Sequence, residues 1–146
     1  MKLVILSGSA PRRLARSGAN IDIRIARNND ELQEEFKNAD VVCVTLKPNL
    51  HASGITVIQE AVLSGVPVIA TDVGGLDLYF SRDEVSYVPV GDVSALRAAI
   101  RAIIEEPEAA RLRAVAAQAR MANHEHCGAE AYISRHVAIS RELLRR

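Results

Sequence analysis

The sequence has no tryptophan, and aromatic residues make up only 3% of its 146 positions. Stacking platforms for unpaired bases and aromatic sugar-binding faces are therefore disfavoured. Its two cysteines, Cys43 and Cys127, are too few for a disulfide framework, so a reducing, cytoplasmic setting is expected. Charge of one sign is lacking too: 18 Lys and Arg are matched by 18 Asp and Glu. That balance argues against a basic nucleic-acid-binding domain and against an acidic tail. No apolar run reaches the ~18 residues of a membrane span. The opening residues Met1 to Leu6 are too few for a signal peptide and read better as a strand. Also missing are a complete Walker A loop, a G-x-G-x-x-G fingerprint and a G-x-S-x-G elbow. What is present is a core-forming mixture, 49% hydrophobic and 25% charged, of a length that suits one domain, residues 1–146.

Short apolar runs alternate with helical patterns. Lys2 to Leu6 reads as a strand that ends in Ser7-Gly8-Ser9. Ile21, Ile23 and Ile25 alternate with Asp22 and Arg24, as in a half-exposed edge strand. Asn29 or Asp30 can cap a helix through Leu32 and Phe36. Asp40 to Leu46 is nearly all apolar and β-branched, which predicts a strand buried on both faces and places Cys43 in the core. Gly54 to Leu63 reads as a helix closed by Gly65. Pro67 to Thr71 is a further buried strand, and Val85 to Val88 a last one. Asp92 caps a helix whose Leu96, Ile100, Ile103 and Ile104 share a face and which stops near Pro107. Residues 108–121 and 129–144 predict two C-terminal helices, the second amphipathic through Ile133, Val137 and Leu144. This alternation predicts an α/β fold: a Rossmann-like, doubly wound parallel sheet of about five strands, with helices on both faces and favoured order 2-1-3-4-5. Residues 7–13 and 47–53 would then flank a crevice at the switch point.

The residues with chemical potential lie mainly between Asn49 and Gly75. Backbone N–H groups of Gly54, Ile55 and Thr56 at a helix start suit an anion, and Thr56 adds a hydroxyl. Glu60, further along the same helix, can accept hydrogen bonds from a vicinal diol such as a ribose. Together these features fit a nucleoside diphosphate; ordinary capping and solvation fit them as well. Lys47, Arg12 and Arg13 are candidate cations for a diphosphate, or simply surface charge. Asp72-Val73-Gly74-Gly75 either makes a turn or lets a ligand approach closely. His124-Glu125-His126-Cys127 reads as an interhelical turn rather than a metal site, because a closed zinc site needs four ligands.

The block Glu60-Ala61-Val62-Leu63-Ser64-Gly65-Val66-Pro67-Val68-Ile69-Ala70-Thr71-Asp72-Val73-Gly74-Gly75 resembles the donor-binding half of a GT-B glycosyltransferase of the large retaining family four. Ala39 to Val44, Val88-Pro89-Val90-Gly91-Asp92 with Leu96, and the tail from Gly128 extend the resemblance over about residues 20–145. It implies that Glu60 holds the nucleotide ribose. It also implies that the Ser53, Gly54, Ile55 and Thr56 loop meets the diphosphate and donor sugar. His51 and Lys47 before that loop, and Gly74 and Gly75 after the next strand, complete the candidate donor site. The chain departs from the pattern at Ala52, where the family often carries a Glu, and at Ile55, where it usually has Gly.

The implied function is a nucleotide-sugar-binding domain for sugar transfer from a nucleotide diphosphate donor to an acceptor hydroxyl. No metal or further cofactor is implied. An acceptor-binding domain is missing from the resemblance. So are an early strand and helix that carry an Arg and a Lys in the family. The chain is therefore expected to be truncated on its N-terminal side and inactive alone. A homodimer, or peripheral membrane association through a partner, is compatible with that incompleteness. The alternative is a non-catalytic nucleotide-binding or protein-interaction module on the same fold.

Overall fold

The computed structural model describes residues 3–6, 20–25, 28–49, 51–123 and 129–145. The chain divides into two compact units, Met1–Asn38 and Ala39–Arg146. In the first, strands β1 (Leu3–Leu6) and β2 (Ile21–Arg24) pair in parallel, with Leu3 opposite Ile21. Helix α1 (Asn29–Lys37) follows. Its cap is Asn28, one residue before the expected Asn29 or Asp30. The Asn28 side chain accepts the Glu31 N–H at 2.9 Å, which leaves Asp30 and Glu31 to face the positive helix end. Arg24 at the end of β2 pairs with Asp22 at 2.7 Å and with Glu35 of α1.

The second unit holds strands β3 (Val42–Val44), β4 (Val68–Thr71) and β5 (Ser86–Val88), and helices α2 (Ile55–Leu63), α3 (Val93–Glu105), α4 (Pro107–Ala122) and α5 (Ala129–Leu143). The three strands form one parallel ladder, with β4 in the middle. The described strands thus lie in two parallel ladders, one of two strands and one of three. All four β4 residues are buried. Successive strand side chains point to opposite faces, so β4 must be covered on both. Ile58 and Val62 of α2, Ile69 of β4, and Leu76, Phe80 and Val85 from the following loop are the largest fully buried side chains. Each such aliphatic or aromatic residue contributes roughly 1.5–3 kcal/mol through burial.

Helix α4 begins with Pro107 at its first turn, where a missing N–H costs nothing. Its Ala110, Ala114 and Ala117 recur at helical spacing, and all three are buried. Their small side chains let α4 lie close, and Gln118 donates to the Leu63 carbonyl at the end of α2. Helix α3 is capped by Asp92, whose carboxylate accepts the Ala95 N–H at 2.8 Å.

Two of these expectations need correction. β3 covers only Val42–Val44, because the Leu46 N–H turns to the Thr71 hydroxyl instead of a strand carbonyl. Cys43 is exposed rather than in the core. Partial desolvation by its neighbours still raises its thiol pKa, so it is no activated nucleophile. Ile133 and Val137 of α5, and Leu144 just past its end, are 58%, 41% and 87% exposed. The helix has the expected amphipathic pattern, but its apolar face is not in the core.

Candidate functional site

Parallel strands place their carboxyl ends along one edge, where ligands of open α/β sheets bind. In the second unit three loops leave that edge: residues 45–54 after β3, residues 72–85 after β4 and residues 89–92 after β5.

The first loop is tightly organised. The Leu46 N–H donates to Thr71 Oγ1 at 3.0 Å, and that hydroxyl lies 3.4 Å from the Val44 carbonyl that it can donate to. Asn49 bridges the loop from within: its Nδ2 donates to the Lys47 carbonyl, and its Oδ1 accepts the His51 N–H. The Ser53 N–H donates to the His51 carbonyl at 2.7 Å, and the Ile55 N–H to the Ala52 carbonyl at 3.3 Å. Ile55 therefore does not offer a free N–H, contrary to the expectation from its place at the helix start.

Gly54 is the N-cap of α2, in the left-handed region at φ 80°. A Cβ there would lie 2.8 Å from Val44 Cγ1 and 3.2 Å from Leu46 Cδ1. The need for glycine at this place is thus met by packing against the end of β3 and by backbone conformation. Helix α2 has no side-chain cap and no acidic residue in its first turn. Among the described residues, the Thr56 and Val57 N–H groups find no backbone acceptor. Among the described residues nothing caps or neutralises the positive end of this helix. Thr56 and Glu60 stand four residues apart on one helical face, Thr56 exposed and Glu60 half-buried. Among the described residues the Glu60 carboxylate has no ion-pair partner, while its backbone carbonyl accepts from Ser64. Lys47 and His51 are exposed on the loop before the helix.

The second loop opens on Asp72, whose N–H donates to the Val88 carbonyl at 2.8 Å. Its carboxylate accepts from Arg82 at 2.6 Å, and the same guanidinium lies 5.4 Å over the Tyr87 ring. Gly74 and Gly75 follow at φ 83° and 78°, and a Cβ on either would meet nothing within 4 Å. Glycine is needed here for conformation rather than for space, and the turn faces open space. Leu76 and Phe80 then anchor the loop in the core. Arg120 of α4 donates to the Tyr79 carbonyl at 2.6 Å, and Tyr87 donates its hydroxyl to the Phe80 carbonyl at 2.9 Å.

The structure thus brings Lys47, His51, Ser53, Gly54, Ile55, Thr56 and Glu60 into one loop and helix start, with Gly74 and Gly75 on the adjoining strand's loop. Arg12, Arg13 and residues 124–127 lie outside the described residues. Thr71, Asn49 and Arg82 were not singled out from the sequence. A polar residue closing an otherwise apolar strand was the available signal for Thr71. Asn49 and Arg82 show their partners only in three dimensions.

The family model for "Glycosyl transferases group 1" matches residues 1–106. The chain belongs to this family. No curated protein sequence matches it. Among solved structures, this glycosyltransferase-family chain is similar to sucrose-phosphate synthase from Thermosynechococcus elongatus, with a TM-score of 0.72 and 24% identity. That match covers 99% of this chain and 39% of the synthase. It is also similar to HepE of Anabaena in complex with UDP-glucose, with a TM-score of 0.62 and 22% identity over 85% of this chain and 32% of HepE. HepE with UDP and glucose gives a TM-score of 0.64 at 23% identity. What these structures share with the chain at such identities is the fold. The chain spans about a third of the length of HepE and 39% of the synthase. Among the described residues no helix is long and apolar enough to cross a membrane.

Proposed function

We propose that this chain supplies the nucleotide-sugar-binding half of a retaining glycosyltransferase, which moves a sugar from a nucleoside diphosphate donor to an acceptor hydroxyl. The observation that carries this reading is the start of α2, which has no side-chain cap and whose Thr56 and Val57 N–H groups find no backbone acceptor among the described residues, with Glu60 one turn on, at the carboxyl edge of the sheet. Membership of the glycosyltransferase family and similarity to HepE, solved with UDP and with UDP-glucose, support it. In this reading the helix start takes the diphosphate, helped by the Thr56 hydroxyl and by Lys47. Glu60 accepts the ribose hydroxyls. Ser53, Gly54, Ile55 and His51 border the diphosphate and sugar, and the Gly74-Gly75 turn leaves room for the donor.

Stabilising the departing diphosphate and orienting the donor are the parts of catalysis this half would contribute. The acceptor side would come from a second domain, in the same polypeptide or in a partner. The one-third coverage of the similar structures supports that division. The donor itself would be the only small molecule required, with no additional cofactor. A cytoplasmic place, where nucleotide sugars are made, fits this role.

Calorimetric titration of the chain with UDP, GDP and ADP tests the reading. At least one should bind at micromolar to millimolar concentration. Glu60→Ala should weaken that binding about tenfold, the scale of hydrogen bonds to a charged acceptor. Absence of binding by all three would sink donor binding. Equal binding by Glu60→Ala would sink the ribose role alone.

A further inference from the structure

Thr71 is the buried polar residue of the described structure, 4% exposed at the carboxyl end of the central strand β4. Its hydroxyl does two things at once. It accepts the Leu46 N–H at 3.0 Å and lies 3.4 Å from the Val44 carbonyl as a donor. The ladder between β3 and β4 runs from Val42 opposite Val68 to Val44 opposite Ala70, and there it stops. On the other side β4 continues normally, with Thr71 opposite Val88 and the Asp72 N–H bonded to the Val88 carbonyl. The hydroxyl therefore replaces the next rung of the ladder on one side only. It satisfies the Leu46 N–H while letting residues 45–49 leave the sheet.

The consequence reaches the start of α2. Leu46 and Val44 are the side chains against which Gly54 sits, since a Cβ on Gly54 would come within 2.8–3.3 Å of them. Fixing the Leu46 backbone fixes the surface on which the N-cap of α2 rests. Gly54 in turn sets where Thr56, Val57 and Glu60 stand.

We infer that Thr71 is a positioning residue for the donor site: its hydroxyl, through Leu46 and Gly54, holds the amino end of α2 and the Lys47 loop in their binding arrangement. This rests on the donor-binding reading above. Thr71 itself touches no donor. Valine has nearly the shape of threonine without its hydroxyl, and serine keeps the hydroxyl without the methyl, so the two contributions can be separated by substitution.

The test compares Thr71→Val, which keeps the shape and removes the hydroxyl, with Thr71→Ser, which keeps the hydroxyl and removes the methyl. Affinity for UDP, or for whichever of GDP and ADP binds the unmodified chain, is measured by calorimetry. Amide hydrogen exchange at Leu46, Thr56 and Val57 is measured without nucleotide. Thr71→Val should weaken binding about five- to tenfold and speed exchange at Leu46. Thr71→Ser should bind within about twofold of the unmodified chain and keep Leu46 protected. A residue that served only as core packing would show the opposite order, with serine the more damaging change. Unchanged affinity in a folded Thr71→Val, or a loss in Thr71→Ser as large as in Thr71→Val, would overturn the inference. If the valine variant does not fold, the serine variant decides alone: loss of Leu46 protection or of affinity there overturns it. If the unmodified chain binds none of the three nucleotides, the donor reading fails. The exchange data then still report whether Thr71 holds the loop.

Discussion

Single residues at the sheet's carboxyl edge have separable jobs. Gly54 combines φ 80° with a Cβ position 2.8 Å from Val44 Cγ1, so no larger residue fits without movement. Gly54→Ala should destabilise the fold by about 2–3 kcal/mol and lower the thermal midpoint by several degrees. Gly74 has the same sign of φ but open space, so Gly74→Ala should cost less, about 1 kcal/mol, in the same melting experiment. Tyr87 gives a pH-dependent counterpart. Burial, with the Asp77 carboxylate as the next cause, pushes its phenol up to about 12. In the unfolded chain a tyrosine ionises near pH ~10. The folded state binds its proton more tightly, so this contribution to stability is complete below pH ~10 and is lost as the pH rises towards about 12. Tyr87→Phe should flatten that alkaline decline in melts run across this range. It should also cost some stability at neutral pH, where the bond to the Phe80 carbonyl is lost.

At the scale of elements, what the sequence made legible depended on whether periodicity and punctuation agreed. Asp92 before Val93, and Pro107 opening the next helix, marked the limits of α3 and the start of α4 to within a residue or two. Pro67 to Thr71 is readable as a buried strand because Val68, Ile69 and Thr71 are β-branched and the stretch carries no charge. The apolar pattern of Asp40 to Leu46 makes β3 longer than the Val42–Val44 observed. Nothing local distinguishes Thr45-Leu46 from strand residues, and the Thr71 hydroxyl that diverts them is 25 positions away. The amphipathic pattern of α5 was equally clear, yet pattern does not say what covers an apolar face. Ile58 of α2 is fully buried, while Ile133 and Leu144 are 58% and 87% exposed. Ile58→Ala should therefore cost about 2–5 kcal/mol. Ile133→Ser and Leu144→Ser should each stay within ~0.5 kcal/mol of the unmodified chain in denaturant titrations. A large loss at either position would show that its side chain is covered within the chain.

For the whole molecule, zero net charge means that anionic ligands are not drawn in by a long-range field. In the proposed function, donor binding would then depend on the α2 end and on local cations such as Lys47. Raising salt from low to physiological levels should change nucleotide affinity by less than about threefold, measured in parallel titrations. A steep dependence would point to more cations at the site than the described residues provide. The sequence by itself determined the α/β class, the parallel strands and the family, and it made the stretch from Asn49 to Gly75 the candidate site. These follow from hydrophobic period, caps, glycines and one extended motif, all of which are local in the chain. Only the tertiary structure decided that Cys43 is exposed and that Ile55 spends its N–H on Ala52. The same is true of Gly54 packing on Val44 and Leu46, and of Thr71 reaching across to end β3. Each of these depends on which distant groups meet, and hydrogen-bond and packing partners separated by tens of residues leave no mark on local pattern.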